Sequence, residues 1–544
     1  MKTILTAEAA KSNDLYTMHS RNCTEKELVS SAAAAVLSTL QTEGYDLSTP
    51  CILCGGGNNG ADGMQLACLL KQAGCAVTVL YLGALYTISA SDSAKKSSKK
   101  NKSLDKYDVD PALLGTPKTE AMSEQCLAFY KQVQEAGIPV LTALPTEALL
   151  AEQPAYSVIV DAVYGTGMNG VITDRNVCDT FDQINLSKIP VVAIDVPSGA
   201  HCDTGALDAH ALYAGQTVCM QDIKAAHVLY PAAGYTGVVT VADIGIAANP
   251  LYEATAPLQY IEDADLETLL PARPARSNKG TFGRVLVVGG APGMAGAAYL
   301  AAMAAYRAGA GLVEILTVSK NRTILQQLLP EAVLSTYTDK SKLKKAIKNS
   351  VRKADAIVLG CGMGRSKLAD YAVKYVLKNA RVPVVVDADA LNIIANKQGL
   401  LKGVSKKQKP QVVITPHPVE AARLLDKKAT ADTVLANLPK AIEKLCEKYK
   451  VNVLLKDAHT LVYAYDKATR YVNLTGSTAL AGAGSGDILA GLIGGLCAAQ
   501  TNEQPVVTAA ALAAYMHGKA GEIAEQRVGA RAAMARDILE ALKK

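Results

Sequence analysis

Short runs of aliphatic and β-branched residues recur along this chain, separated by stretches whose apolar positions repeat every three to four residues. In the first half the runs are CIL (51–53), AVTVLYL (76–82), YSVIVDAVYGTG (156–167), IPVVAIDVPSG (189–199) and GVVTVADIGI (237–246). They are apolar on both faces and most end in Gly or Asp, which predicts parallel strands covered on both sides with functional groups at their carboxyl ends. Residues 1–48 predict helices, with Ala32–Leu40 as an apolar helical run. A second series begins with GRVLVVGG (283–290), followed by the helical AGAAYLAAMAAYRAGAG. It continues through LVEILT, DAIVLGCGMG, VPVVVDADALN, QVVITPHPVEAARLL and VNVLLKDAHTLVYA to a final helical region from Ser485. The pattern predicts an α/β protein of two three-layer domains, the first a doubly wound sheet. The halves share a style but not an order of motifs, so no internal repeat is expected.

At 544 residues the chain exceeds the ~250–300 residues at which a single core stops growing. The character of the sequence changes in PLQYIEDADLETLLPARPARSNKGTFG, which carries three prolines and then a basic, glycine-punctuated turn. Residues 1–250 are therefore expected as one domain, 251–275 as a linker and 276–544 as a second domain. An insertion rich in Ser and Lys, about 85–125, interrupts the first domain and reads as a mobile surface loop.

Composition then narrows the function. Three Phe and no Trp leave few platforms for stacking bases. The net charge of +6 is concentrated in KKSSKKNKSLDK (95–106), whose six Lys and one Asp give a local +5, leaving the rest nearly neutral. A solvated lysine-rich insert explains this better than a nucleic-acid or membrane patch. The twelve cysteines are scattered, and the one close pair, Cys51 and Cys54, lies in an apolar strand where buried thiols are expected. Met1–Ala10 lack the order of a signal peptide, and no run reaches ~18 apolar residues. A cytoplasmic protein with no membrane or nucleic-acid partner is expected.

In the first half, GGGNNGADG (55–63) follows a strand and enters a helix, whose free N–H groups and dipole favour an anion. Such a loop is also an ordinary tight turn. What sharpens it is Asp161 before YGTGMNG and Asp195 before VPSG, because strand ends of a doubly wound sheet converge on one crevice. Asparagine amides, carboxylates, the Ser198 hydroxyl and backbone carbonyls form a hard-oxygen set. It suits a cation, or the amides position a phosphate-bearing ligand.

The combination NNGAD, VDAVYGTG and AIDVPSG closely resembles the NAD(P)HX epimerase domain over most of residues 1–248, a Rossmann-like fold. The resemblance implies that Asn58, Asn59, Gly60, Ala61 and Asp62 touch the hydrated nicotinamide dinucleotide. It also implies that Gly165, Thr166, Gly167, Met168, Asn169, Gly170 and Val171 bind it together with Asp195, and that Asn59, Asp161 and Ser198 hold a potassium ion. The reaction interconverts R and S forms at the hydrated ring carbon, and Asp195 is the expected general base or acid. Lys224, in DIKAAHVLYP, aligns loosely with a family lysine or is an ordinary surface charge. The chain departs from the family at Leu28–Ala32, where a helix-start acid is replaced, and in GAD where the family has GGD.

In the second half the strongest motif is AGAGSGDILAGLIGG (481–495). Its glycine turn places N–H groups at a helix start as an anion cradle, with Asp487 in the first turn. A carboxylate facing an anion makes sense as the acceptor of a proton from an attacking hydroxyl. A dipole-favoured N-terminal Asp explains Asp487 alone but not the glycines. The motif is similar to the ribokinase-like GxGD signature. With RSNKGTFGRVLVVGGAPGMAGAAYLAAMAAYRAGAGLV, DAIVLGCGMG, VVDADALN, TPHPVEAARLL and LLKDAHTLV it resembles the NAD(P)HX dehydratase over residues 276 to about 525. That implies phosphorylation of the hydrate's hydroxyl by ADP (or ATP) with Mg2+, and then loss of phosphate to give NAD(P)H. Matched positions are Ala297, Gly362 and His417 for the hydrate, and Lys456, Asp457, Ala458, His459, Thr460 and Gly486 for the adenine nucleotide. Asp487 contacts the hydrate hydroxyl as base. By itself His417 reads as a turn residue between prolines, and Asp457 stands where the family has Gly.

Both halves then act on one damaged cofactor, and a homo-oligomer is expected. The competing readings are a vitamin or sugar kinase fused to a dinucleotide-binding module, and an amino-terminal half that only binds.

Overall fold

A computed structural model describes residues 1–86, 116–252, 256–270, 272–426, 428–499 and 505–543. The lysine-rich stretch and most of the expected insertion lie outside the described residues; at its flanks Leu85–Tyr86 pairs antiparallel with Thr116–Pro117. The chain divides into two compact units, Ile4–Ala254 and Thr255–Lys544, the second also taking in Met1–Thr3.

The first unit is built on seven parallel strands. From edge to edge they are Val238–Ala242, Gln216–Met220, Val191–Ile194, Val158–Ala162, Pro50–Cys54, Thr78–Tyr81 and Val140–Leu141. Numbered along the chain, the order is 7-6-5-4-1-2-3, so the winding reverses between the first and fourth strands. That switch point opens a crevice at their carboxyl ends, which is where GGGNNGAD and VYGTG begin. Cys51 and Cys54 are both buried and pack on opposite faces, Cys54 with Val36 and Met64, Cys51 with Leu53 and Phe181. Three helices of this unit bear on its crevice: α1 (Ala7–Arg21), α2 (Glu25–Thr42) and α3 (Asn58–Gln72). Thr6 caps α1, and Thr24 with Glu27 forms a capping box on α2.

The second unit carries an eleven-stranded sheet. Its order is Lys2–Thr3, Leu258–Tyr260, Arg470–Val472, Leu461–Tyr463, Asn452–Leu455, Val412–Ile414, Val384–Val386, Ala356–Leu359, Arg284–Val288, Leu312–Val318 and Val333–Tyr337. From Asn452–Leu455 to the last edge all pairs are parallel. Counted from Arg284 along the chain, those seven strands again run 7-6-5-4-1-2-3. The strand order thus repeats although the motif order does not. Residues 258–269 hold a strand and a short helical segment. α4 (Ala295–Arg307), α5 (Ser485–Ala498) and α6 (Val506–Val528) are largely buried on this sheet.

Every apolar run contains a strand or a helix, but several strands escape the pattern, among them Val140–Leu141 and three longer ones. Gln216–Met220, Val333–Tyr337 and Arg470–Val472 carry Gln, Thr, Ser or Arg among their apolar residues. Burial on both faces also fails at one run: Val238–Ala242 is the edge strand, and Val238 and Val241 face solvent. No helix among the described residues is long and apolar enough to cross a membrane.

Two candidate active sites

At the first switch point α3 begins at Asn58, capped by Gly57 with no side-chain bond, so its first N–H groups face the crevice. The loop is tight: a Cβ on Gly60 would lie 2.0 Å from the Gly55 carbonyl oxygen. Asn59 Nδ2 donates to the Tyr164 carbonyl (3.0 Å). The fully buried Asp161 accepts from Ser198 N (2.7 Å), Ser198 Oγ (2.6 Å) and Val163 N (3.2 Å), while Tyr164 N donates to Ser198 Oγ (2.8 Å). Burial nevertheless raises the Asp161 carboxyl to about 6 against the bonds from Ser198. Asn59 thus donates to the Tyr164 carbonyl, and Ser198 links the Asp161 carboxyl to the Tyr164 backbone, bringing together residues from three separate elements. The Gly165–Val171 loop leaves the same strand end, with Val171 exposed.

Asp195 sits at the end of the fifth strand with a left-handed backbone (φ 63°), a conformation costly for Asp and common at functional sites. Its Oδ1 accepts from Lys224 Nζ (2.5 Å) and Met220 N (3.1 Å). Lys224 is no surface charge: it is 2% exposed, and its Nζ also donates to the Met220 carbonyl (2.6 Å). Burial works most strongly against its charge, but Asp195 together with Cys219 and Cys202 raises its proton affinity overall. His227 is neutral, held down to about 4 by burial and by Lys224. Its Nδ1 accepts from Lys224 N (3.0 Å), so Nε2 is the donor to the Asp195 carbonyl (2.6 Å). Asp62 joins this cluster, its carboxyl raised well above the usual range by burial and then by Asp195, Asp14 and Glu25.

In the second unit the corresponding strand ends meet in the same way. The LGCGMG turn lies on the GGAPGMAG loop: Ala291 N donates to the Gly362 carbonyl (2.6 Å), and a Cβ on Gly362 would approach that of Ala297 to 2.7 Å. Gly484, at φ 93°, turns the chain into α5. A left-handed turn here is tolerable only for a residue without a side chain, and it aims the first N–H groups outward. Ser485 Oγ lies 3.0 Å from Nε2 of the buried His517 on α6.

Asp487 stands in the first turn of α5. Burial first and Asp387 second raise its carboxyl to about 6, offset by a hydrogen bond from the Cys361 thiol and by Lys456. Lys456 Nζ donates to Asp387 Oδ1 (2.8 Å), and a Cβ on Gly486 would sit 3.4 Å from that ammonium. Glu420 faces the same group, raised to about 6 by burial and lowered by Lys456. His417 uses Nδ1 as a helix cap toward Val419 N (3.2 Å) and leaves a half-exposed ring. Asp457 to Thr460 form the turn after Lys456, with Thr460 Oγ1 donating to the Asp457 carbonyl (3.3 Å). Among the described residues no cluster of three or more His, Cys, Asp or Glu is arranged to hold a metal ion.

Two family models divide the chain between them. That of the NAD(P)H-hydrate dehydratase matches residues 285–544, and that of the YjeF-related protein N-terminus matches 25–107 and 102–226. A bifunctional NAD(P)H-hydrate repair enzyme of Moorella thermoacetica is 34% identical over 90% of this chain and 86% of its own length. The chain belongs to the bifunctional NAD(P)H-hydrate repair enzymes. A member from Escherichia coli is 29% identical across 95% of this chain and 89% of its own. A solved ADP/ATP-dependent NAD(P)H-hydrate dehydratase from Bacillus subtilis, co-crystallised with ATP and Mg2+, is 29% identical over 53% of this chain and 96% of its own, with a TM-score of 0.45.

This repair enzyme brings to its two crevices several groups that motif reading passes over. Glu25 Oε1 accepts from Asn58 Nδ2 (2.7 Å), and Asp14, Asp387, Cys361, Glu420 and His517 line the same two places. Asp387 and Cys361 stand inside the quoted VVDADALN and LGCGMG, so their strand-end position was the available signal. Asp14 and His517 lie in helices with no local mark of chemistry.

Proposed function

We propose that the amino-terminal crevice interconverts R- and S-NAD(P)HX, and that the carboxyl-terminal crevice dehydrates the S form to NAD(P)H using ADP. The observation that carries this is Asp487, a carboxyl with raised proton affinity beside the glycine cradle and facing the Lys456–Asp387 pair. As the hydrate's hydroxyl oxygen attacks the nucleotide's terminal phosphoryl group, Asp487 takes its proton, and the cradle's N–H groups and Lys456 stabilise the phosphoryl oxygens. The C–O bond then breaks toward phosphate, the ring nitrogen's lone pair forms C=N, and loss of the adjacent ring proton gives the dihydropyridine. Ala297, Gly362 and His417 border the hydrate, and Asp457, Ala458, His459 and Thr460 with Gly486 border the nucleotide. Mg2+ enters with the phosphates, as this ion does where one or two carboxylates and substrate oxygens complete its shell.

In the amino-terminal crevice Asp195 keeps Oδ2 for the substrate, beside Asn58, Gly60, Ala61, Asp62 and the 165–171 loop. The Asp161 carboxylate, the Asn59 amide oxygen, Ser198 and nearby carbonyls suit K+. Asp161 is wholly buried with no cationic side chain beside it among the described residues, and a monovalent cation supplies the missing positive charge. Asn59→Ala is expected to raise the potassium concentration giving half-maximal epimerisation severalfold; an unchanged dependence removes the site.

The direct test follows NADHX turnover by NADH absorbance with ADP and with ATP. NADH formation with ADP is expected from S-NADHX at once and from R-NADHX after a lag. A phosphorylated product without NADH would instead indicate a kinase.

A further inference from the structure

Phosphoryl transfer at the GSGD turn leaves its buried neighbour His517, on α6, without a part in the chemistry. Where α6 is buried it is built mostly from alanine and other apolar residues, and its buried polar side chains are Thr508 and His517. Thr508 Oγ1 lies 3.4 Å from the Tyr471 hydroxyl. His517 Nε2 lies 3.0 Å from the buried Ser485 Oγ, and the ring is also hydrogen-bonded to the Ser485 backbone. A leucine would fill this position without the cost of burying a polar ring, so packing alone does not account for a histidine here. Burial first and Lys456 second hold the ring neutral, at about 4, and it meets Ser485 as an uncharged partner.

The same stretch of α6 holds the chain that leads into the cradle. Thr475 Oγ1 donates to the Tyr515 carbonyl (3.0 Å), Gly476 N to Glu522 Oε1 (2.9 Å) and Ser477 Oγ to the Gly521 carbonyl (3.2 Å). The approach is close because α6 presents glycines there: a Cβ on Gly518 would lie 2.1 Å from Thr475 Oγ1, and one on Gly521 2.6 Å from Leu480 Cγ. Residues 475–480 are thus fastened to 515–522, and His517 reaches past them to Ser485, the first residue of α5. The turn between is held loosely by its own backbone, with Ser485 N reaching the Gly482 carbonyl at 3.4 Å. Gly486 and Asp487 follow at once, and their N–H groups belong to the first turn, which a helix leaves open for an anion. His517 therefore grips the cradle at the residue on which its direction depends.

We propose that His517 is the positioning residue of this cradle, an inference that rests on the dehydratase reading of the carboxyl-terminal crevice. Through Ser485 it fixes the N–H groups of Gly486 and Asp487, and the Asp487 carboxyl with them, where the phosphoryl group transfers. It moves no proton and touches no reacting atom. N–H groups stabilise the charge of a transferring group when they are aimed beforehand, and a displacement of about 1 Å costs on the order of 10²-fold in rate. The hydrate is bordered by Ala297, Gly362 and His417, which this turn does not carry, so loosening the turn should lower kcat and leave the hydrate's KM nearly as it was.

The test uses the full chain and follows NADH formation from S-NADHX with saturating ADP and, in parallel, ATP, together with thermal unfolding. His517→Leu is expected to lower kcat by about 10–10²-fold with the KM for S-NADHX changed only a few-fold. His517→Gln, whose amide reaches toward Ser485 Oγ, should restore part of that loss. Adding Ser485→Ala to His517→Leu removes both polar partners, so thermal stability should return toward the wild type while kcat stays as low as in His517→Leu. Ser485→Ala alone should also lower kcat, which reads the link even where a leucine variant does not fold. Wild-type protein that forms no NADH with either nucleotide sinks the dehydratase reading itself. With an active wild type, full kcat in Ser485→Ala or in His517→Leu, or a rise in KM alone, overturns the positioning role. So does a double variant that regains kcat along with stability, because the pair would then be structural only. A further fall of kcat in the double variant overturns it as well, since His517 would act through another group.

Discussion

The two units build one architecture twice and then differ in the groups that stand above its floor. In each, the strand order is 7-6-5-4-1-2-3 and an Asp ends the fifth strand, Asp195 in one and Asp387 in the other. Each Asp is paired with a lysine from a later strand's end, Lys224 or Lys456. In each, strain sits at that point, at Asp195 itself or at the next residue, Ala388 (φ 50°). The pair supplies a fixed, nearly neutral floor to the crevice. Above that floor, the first unit has carboxyls from α1 and α3, whereas the second has the amino terminus of α5 with its glycine cradle and Asp487. A cradle of N–H groups is needed where an anion's charge must be stabilised during transfer. Water leaving and returning at a ring carbon needs only a proton carrier.

Removing the acid that distinguishes the second unit should have the largest effect. Asp487→Asn is expected to slow NADH recovery by about 10²–10⁴-fold while epimerisation of R-NADHX proceeds unchanged; paired assays on one preparation check this. A loss of both activities would mean that the units do not work separately.

The shared floor is tested next. Lys224→Met and Lys456→Met each leave an unpaired aspartate, and breaking a buried pair costs about 3–5 kcal/mol. Lys224 has 3% of its side chain exposed against 22% for Lys456, so the first substitution should cost more. Thermal unfolding of the two variants measures the difference, and equal losses would undo the ranking.

The smallest effect is a pH limb. Asp487 accepts a proton only when ionised, and its carboxyl is raised to about 6, so the dehydration rate should climb about tenfold per unit below that value and level off above it. A rate that rises as pH falls would reverse the assignment of Asp487 from base to acid.

Much of the fold can be read from the sequence because parallel strands buried on both faces write themselves as unbroken aliphatic runs, as in VIVDA and RVLVV. QTVCM and VLSTY are not such runs. Gln216 instead donates its amide to Thr240 Oγ1 (3.0 Å), and Ser335 donates to the buried Glu314 (2.6 Å), so their polar atoms are satisfied by partners far along the chain. The sites divide in the same way. Loops such as NNGAD and GSGD carry their chemistry locally, in glycines and a helix start. Lys224 looks like any lysine until the sixth strand delivers it to Asp195.

The sequence alone determined two α/β units, their glycine-lined strand ends and the carboxylates of the quoted motifs, because backbone geometry and burial impose local patterns on composition. Only the tertiary structure decided that the two sheets share a winding and that Asp195 and Asp387 are held by lysines from later in the chain, one buried and one partly exposed. Those facts depend on which strand ends lie side by side, and proton affinity depends on the neighbours that this placement brings.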